Sequence, residues 1–320
     1  MRFNSYKFYI CLAIAFSIIF SVFIYKQFFE NKNYIVSPVP NFLTAFVNNQ
    51  VATLDLWSPI FEMFEPSSNK IPVISARSAL AYDLNDEQVL FSKNPQNKYP
   101  MASLTKIMTA IVSLESLKEN KQYVISQDDL VGENSMGLSA GETLTLEELM
   151  YGLILSSGND AAETFASNFE GGRTQFILAM NNKAKSLGLK NTHFTNPTGL
   201  EGDGKQFTTT YDLLVITKYA LQFPLFKKVA GTFIHNIPGS KNHKAFYLEN
   251  ETNLLTSYPG VFGVKDGYTP EAGLCLVTYL NYKGHKIIGI LLGSDNRRQE
   301  MKDLLDYSLK LQGITPPPHS

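Results

Sequence analysis

The chain is 320 residues long, 44% apolar and 18% charged, with a formal net charge of −1 at pH 7. Such a composition supports a sizeable buried core. Its basic residues form no run or stripe, which argues against nucleic acid as a partner.

Residues Phe8 to Tyr25 are 18 uncharged, largely apolar residues, about the minimum that spans a bilayer as a helix. Arg2 and Lys7 precede this run, and Lys26 and Lys32 follow it, so charge bias alone does not set its orientation. No small-residue cleavage pattern comes after it. The expectation is an uncleaved transmembrane signal anchor at 8–25. Residues 26–71 carry Pro38, Pro40, Pro59, Pro66 and a Ser67-Ser68-Asn69 cluster and read as a stalk or linker. Within it, Phe42 to Phe64 is apolar enough for a short helix lying on a surface.

The globular part opens with an alternating stretch from Val73 to Tyr82. With the turn candidate Asn85-Asp86 and the run Val89-Leu90-Phe91, it reads as a β-hairpin. Residues 103–118 place Leu104, Ile107, Met108, Ile111, Val112 and Leu114 at helical spacing. Thr145-Leu146-Glu147-Glu148 is a capping box that opens a helix to about Leu155. Further helices are expected over 160–169, 174–187 and 211–221. Strand character returns over 260–265, 274–280 and 286–292, with Gly267 to Gly273 as a hairpin loop. A final helix covers 296–311, and 313–320 is a tail. Strands at both ends and helices between predict an α+β domain over 72–312. Its antiparallel sheet is assembled from N- and C-terminal strands and flanked by helices, with an inserted helical region.

Cys11 lies in the apolar run and Cys275 in a strand-like segment, so no disulfide is expected between them. The five histidines are scattered without zinc-ligand spacing, and no metal site is expected.

In Pro100-Met101-Ala102-Ser103-Leu104-Thr105-Lys106, a helix beginning at Ser103 would place Ser103 and Lys106 on one face. A serine hydroxyl needs a base to take its proton. A lysine serves as that base only when burial or a neighbouring cation brings its pKa down towards neutrality. The pattern alone is cheap, since Ser67-Ser68-Asn69-Lys70 repeats it in the stalk. Ser156-Ser157-Gly158-Asn159-Asp160 interrupts two helices and offers a hydroxyl and a carboxamide on one turn. Lys265-Asp266-Gly267 sits at the edge of a strand, where an ammonium would lie beside the cleft and Gly267 would let a substrate backbone approach closely.

Ser-x-x-Lys, Ser-x-Asn and Lys-x-Gly in this order resemble the penicillin-recognising enzymes, the D-alanyl-D-alanine peptidases and serine β-lactamases. The wider text around Ser103, around Ser157, at Asn196-Pro197-Thr198-Gly199-Leu200 and from Gly263 to Gly273 is similar to the low-molecular-mass D-alanyl-D-alanine carboxypeptidases. The resemblance covers about residues 72–312. It implies a β-lactamase/transpeptidase-like fold and cleavage of the terminal D-alanine from peptidoglycan stem peptides, with β-lactam antibiotics as covalent inhibitors and no cofactor. Ser103 would form the acyl-enzyme, Lys106 would be its base and Ser157 would relay the proton. Asn159, Lys265, Asp266, Gly267 and Tyr268 would contact substrate, with the N–H groups of Ser103 and Tyr268 as the oxyanion hole. A peptidoglycan substrate would also put the domain outside the membrane, anchored through 8–25, with 1–7 as a cytoplasmic tail.

Asp266 departs from the pattern, which usually has Thr or Ser there. A hydroxyl donates to a substrate carboxylate, whereas an ionised Asp repels it, by about 4 kcal/mol at 4 Å and an effective dielectric near 20, unless Asp266 pairs with Lys265, is protonated or points away. Three outcomes stay open: a carboxypeptidase with altered geometry, a D,D-endopeptidase for crosslinks without that carboxylate, or a non-catalytic peptidoglycan-binding homologue. A β-lactamase-like hydrolase is a further rival, but the Glu-x-x-Leu-Asn element of class A β-lactamases is missing: Glu201 and Glu251 lack that context.

Overall fold

Strands β1 (Ser78–Asp83) and β2 (Gln88–Lys93) form an antiparallel hairpin. The Asp83 carboxylate closes its turn by accepting from the N–H groups of Asn85, at 2.7 Å, and Asp86. The computed structural model describes residues 70–319 apart from Glu119 and Asn253. The expected membrane anchor at 8–25, the surface helix within 42–64 and the stalk as far as Asn69 lie outside the described residues. Among those described, no helix is long and apolar enough to cross a membrane.

Beyond the hairpin, a 3-10 turn over Ala102–Leu104 leads straight into α1 (Thr105–Ser116). The middle of the chain adds the short pair β3 (Tyr123–Val124) and β4 (Thr143–Leu144), then α2 (Leu146–Ile154) and α3 (Asn159–Ser167). Helices α4 (Gly172–Ser186), α5 (Thr210–Ala220) and α6 (Pro224–Ala230) follow. A small hairpin of β5 (Ile234–Ile237) and β6 (Phe246–Glu249) and the single turn α7 (Leu254–Ser257) come next. The chain closes with β7 (Val261–Thr269), β8 (Gly273–Tyr282), β9 (His285–Ser294) and α8 (Arg297–Leu311).

The main sheet has the order β2-β1-β9-β8-β7 and is antiparallel throughout. Its seam joins the two ends of the domain, with Ser78 opposite Leu292 and Asp83 opposite Ile287. On one face Leu276, Leu280, Ile287 and Leu291 pack with Met301, Leu304, Leu305 and Leu309 of α8. On the other, Val277, Tyr279, Ile288 and Ile290 join the core of the helical region. Coverage on both faces explains why the last strands read as near-continuous apolar runs. Helix α1 is buried on every side from Thr105 to Ser113 and is the central rod of the helical layer. The fold is thus α+β, with the sheet built from both ends of the domain.

Three boundaries differ from the sequence expectation. The first strand starts at Ser78, not Val73, because the N–H groups of Ser75 and Ala76 donate to the Glu300 carboxylate instead of a strand partner. Helix α1 starts two residues after Ser103, since Ala102–Leu104 tightens into a 3-10 turn. Strand β7 continues to Thr269, so Gly267 and Tyr268 belong to the strand, not to a hairpin loop. Pairing of Gly267 with Cys275 and Tyr268 with Leu274 overrides the turn propensity of glycine. Helix α6 and the four short strands β3 to β6 have no counterpart in the sequence expectation. They are too short for periodicity to reveal, although Pro224 at the first position of α6 is a start signal. The Thr145 capping box is present, with Thr145 Oγ1 accepting from Glu148 N–H and Glu148 accepting from Thr145 N–H.

Candidate active site

Ser103 lies on the 3-10 turn and Lys106 on the first turn of α1, so their spacing brings them together locally. Lys106 is fully buried, and its Nζ lies 3.0 Å from Ser103 Oγ. The same nitrogen donates to Asn159 Oδ1 and to the Thr198 carbonyl, each at 2.7 Å. Burial is the first cause that drives the Lys106 pKa well below its ordinary value, and the positive charge of Lys265 is the second. Glu251, Asp266 and Asp160 pull the other way without prevailing. The result is an amine beside a serine hydroxyl that loses its proton well below the range of an ordinary lysine.

The turn between α2 and α3 carries Ser157 and Asn159. Ser157 adopts a left-handed φ of +52°, and Ala102, next to Ser103, one of +49°. Each costs about 1 kcal/mol, a strain typical of functional turns. Ser157 Oγ is buried and has no hydrogen-bond partner among the described residues. Asp160 fixes the turn to a neighbouring loop: its carboxylate accepts from Ser135 Oγ and from the N–H groups of Met136, Gly137, Leu138 and Ala161. Asp160→Ala removes the acceptor of the Met136, Leu138 and Ala161 N–H groups, while Gly137 N–H keeps Ser135 Oγ at 2.8 Å. The expected loss is on the order of 3 kcal/mol of unfolding free energy, measured by urea denaturation.

The third side of the site is the Asn196–Leu200 loop. Asn196 Oδ1 accepts from the N–H groups of Thr198, at 3.2 Å, and Gly199, at 2.8 Å. Thr109 Oγ1 on α1 donates to the Pro197 carbonyl at 2.6 Å. These contacts aim the Thr198 carbonyl at Lys106. Gly199 has φ +90°, and a Cβ there would lie 2.0 Å from the Ala102 carbonyl oxygen.

Strand β7, at the edge of the sheet, forms the fourth side. A Cβ on Gly267 would come within 2.9 Å of Ser103 N, so the strand backbone passes against the turn that carries Ser103. Lys265 is buried, while Tyr268 is 62% exposed. Of the alternatives the sequence left for Asp266, the structure shows pairing with Lys265, and it adds a second cation, Arg297. Asp266 Oδ1 accepts from Lys265 Nζ at 2.9 Å and its Oδ2 from Arg297 Nη2 at 2.6 Å. Burial alone would raise the Asp266 pKa, but Lys265 and Arg297 outweigh it and hold the carboxyl below its ordinary value. A pocket of about 320 Å³ opens beside this pair, lined by Glu251, Thr252, Leu254, Asp266, Arg297 and Arg298, among others.

The structure therefore gathers Ser103, Lys106, Asn159, Lys265, Asp266 and Gly267 around one centre. Sequence reasoning missed Arg297 and gave no role to Thr198. Arg297 had no local signal, being one of 28 Lys and Arg residues at the start of the last helix. Thr198 acts through its backbone, which carries no side-chain signature.

Residues 65–296 match the family described as D-alanyl-D-alanine carboxypeptidase. The D-alanyl-D-alanine carboxypeptidase DacF of Bacillus subtilis is 34% identical over 245 residues, which are 73% of this chain and 62% of that protein's length. A D-alanyl-D-alanine endopeptidase of Pseudomonas aeruginosa is 32% identical over 242 residues, covering 73% of this chain and 76% of its own. Among solved structures, the Streptomyces K15 DD-transpeptidase superposes with a TM-score of 0.71 at 30% identity, covering 76% of this chain and all of that one.

Proposed function

Because this chain belongs to the D-alanyl-D-alanine carboxypeptidase family, we propose that it is a serine D,D-peptidase releasing the terminal D-alanine of peptidoglycan stem peptides through a Ser103 acyl-enzyme. The observation that carries this reading is the buried Lys106 amine, 3.0 Å from Ser103 Oγ. A neutral amine has two N–H bonds and one lone pair. Asn159 Oδ1 and the Thr198 carbonyl take the two N–H bonds, which leaves the lone pair for the Ser103 proton.

In the proposed reaction Lys106 accepts that proton as Ser103 Oγ bonds to the carbonyl carbon of the penultimate residue. The negative charge developing on the carbonyl oxygen is held by the N–H groups of Ser103 and Tyr268. Lys106 passes that proton to the Ser157 hydroxyl, which lacks a partner among the described residues, as Ser157 gives its own to the departing amine and the C–N bond breaks; Lys106 is then neutral again. Water, deprotonated by the same base, then cleaves the ester and returns the proton to Ser103. Asn159 Nδ2 is the group that aligns the substrate amide, and Lys265 with Arg297 supplies the positive field for the leaving residue. A β-lactam ring enters the same sequence but leaves its amine tethered, so the ester persists. The proposal also keeps residues 8–25 as a single-pass anchor, with the catalytic domain on the outer side of the membrane.

A fluorescent penicillin tests both parts. The wild type is expected to label covalently and to sediment with membranes. Ser103→Ala is expected to give no band, and deletion of residues 1–29 a soluble labelled band. Labelling of Ser103→Ala at the wild-type level would sink the acyl-enzyme reading.

A further inference from the structure

Asp266 stands between the two cations that a carboxylate on the leaving residue would need. Lys265 Nζ donates to one of its oxygens and Arg297 Nη2 to the other, and its side chain is only 7% exposed. The second terminal nitrogen of Arg297 is committed to the Gly267 carbonyl at 2.6 Å and to that of Cys275 at 3.4 Å. An ionised Asp266 leaves Lys265 and Arg297 with a net charge of +1 instead of +2. It also puts a fixed acceptor where a hydroxyl would donate. Glu251 on the wall of the adjoining pocket adds another carboxylate. A free carboxylate arriving here meets cations already compensated and the like charge of Asp266 beside them. A carboxyl blocked as an amide carries no charge. Its N–H donates to Asp266, and its carbonyl accepts one of the two remaining N–H bonds of the Lys265 ammonium.

Resting on the D,D-peptidase reading, we propose that Asp266 is a specificity-determining residue. It converts the leaving-group subsite from a carboxylate receptor into a receptor for a leaving residue whose carboxyl is amidated. The free acid remains a substrate, and the slower one. The bonds made and broken at Ser103 are the same for both, so the discrimination lies in how the leaving residue is held as the amine departs.

The deciding measurement is kcat/KM for a matched pair, an N-acylated D-alanyl-D-alanine and its D-alaninamide counterpart, followed by release of the leaving amine. The wild type is expected to favour the amide by at least about tenfold. Asp266→Thr is expected to reverse the order, with the acid gaining at least about tenfold. A wild type that favours the acid overturns the inference and leaves the peptidase reading standing. A penicillin-labelled enzyme that releases neither product overturns the inference and leaves only the Ser103 acyl-enzyme standing. No release together with no label on Ser103 overturns both. The wild-type ratio decides the matter even where Asp266→Thr loses its fold, which penicillin labelling of that variant reports.

Discussion

Lys106→Ala lowers the rate of penicillin acylation about 10³-fold or more, and Lys106→Arg is no better. Alanine removes the only amine beside Ser103 Oγ among the described residues. Arginine restores a nitrogen but stays protonated at every accessible pH, so it cannot take the serine proton. In the wild type, acylation rises with pH as Lys106 loses its proton, and the midpoint lies well below the range of an ordinary lysine. Lys265→Ala removes the second-largest cause of that depression, so the acid limb moves to higher pH. A pH profile that stays in place in Lys265→Ala would remove Lys265 from this role. The stability linkage has a definite sign. Between the folded pKa of Lys106 and its unfolded value near 10.4, the unfolded chain binds more protons. Lys106 therefore makes stability rise with pH across that interval.

Gly199→Ala lowers kcat/KM for D-alanine release on the order of 10²-fold. Its Cβ would sit 2.0 Å from the Ala102 carbonyl oxygen, 2.4 Å from the Ala102 carbonyl carbon and 3.0 Å from Ser103 N. These are backbone atoms of the turn that carries the nucleophile, so no side chain can swing aside to relieve the clash. The Thr198 carbonyl next to it also holds Lys106, so the displacement reaches nucleophile and base together. Gly202→Ala separates this effect from backbone strain. Gly202 has φ +113°, and a Cβ there would meet nothing within 4 Å, so its alanine variant loses stability but keeps its acylation rate. Equal loss of acylation in both variants would show that strain, not displacement of Ser103, is responsible.

The Ser103–Lys106 pair was legible in the sequence because three residues of helix place both side chains on one face. The α+β order, the capping box at Thr145 and the turn carrying Ser157 were legible for the same local reason. What stayed hidden was contact across sequence distance. Asn159 reaches Lys106 over 53 residues, and Arg297 reaches Asp266 over 31. The sequence offered Lys265 as a partner for Asp266, being its neighbour in the chain, but nothing pointed to Arg297. That second partner comes from the first residue of α8, which no spacing rule links to β7. The end of β7 was missed because glycine at 267 looks like a turn until its pairing with Cys275 is known.

The seam between β1 and β9 has a consequence for how the molecule is made. Ser78 pairs with Leu292, more than 200 residues later, so the sheet cannot close until almost the whole domain has left the ribosome or translocon. Closing so long a loop costs entropy before the contacts repay it, which places this domain among slow folders. Strand β7, which brings Lys265 and Gly267 to the nucleophile, is held in the sheet only through β8 and β9. On the proposed reading, a nascent chain that already carries Ser103 and Lys106 is therefore inert until β7, β8 and β9 have paired.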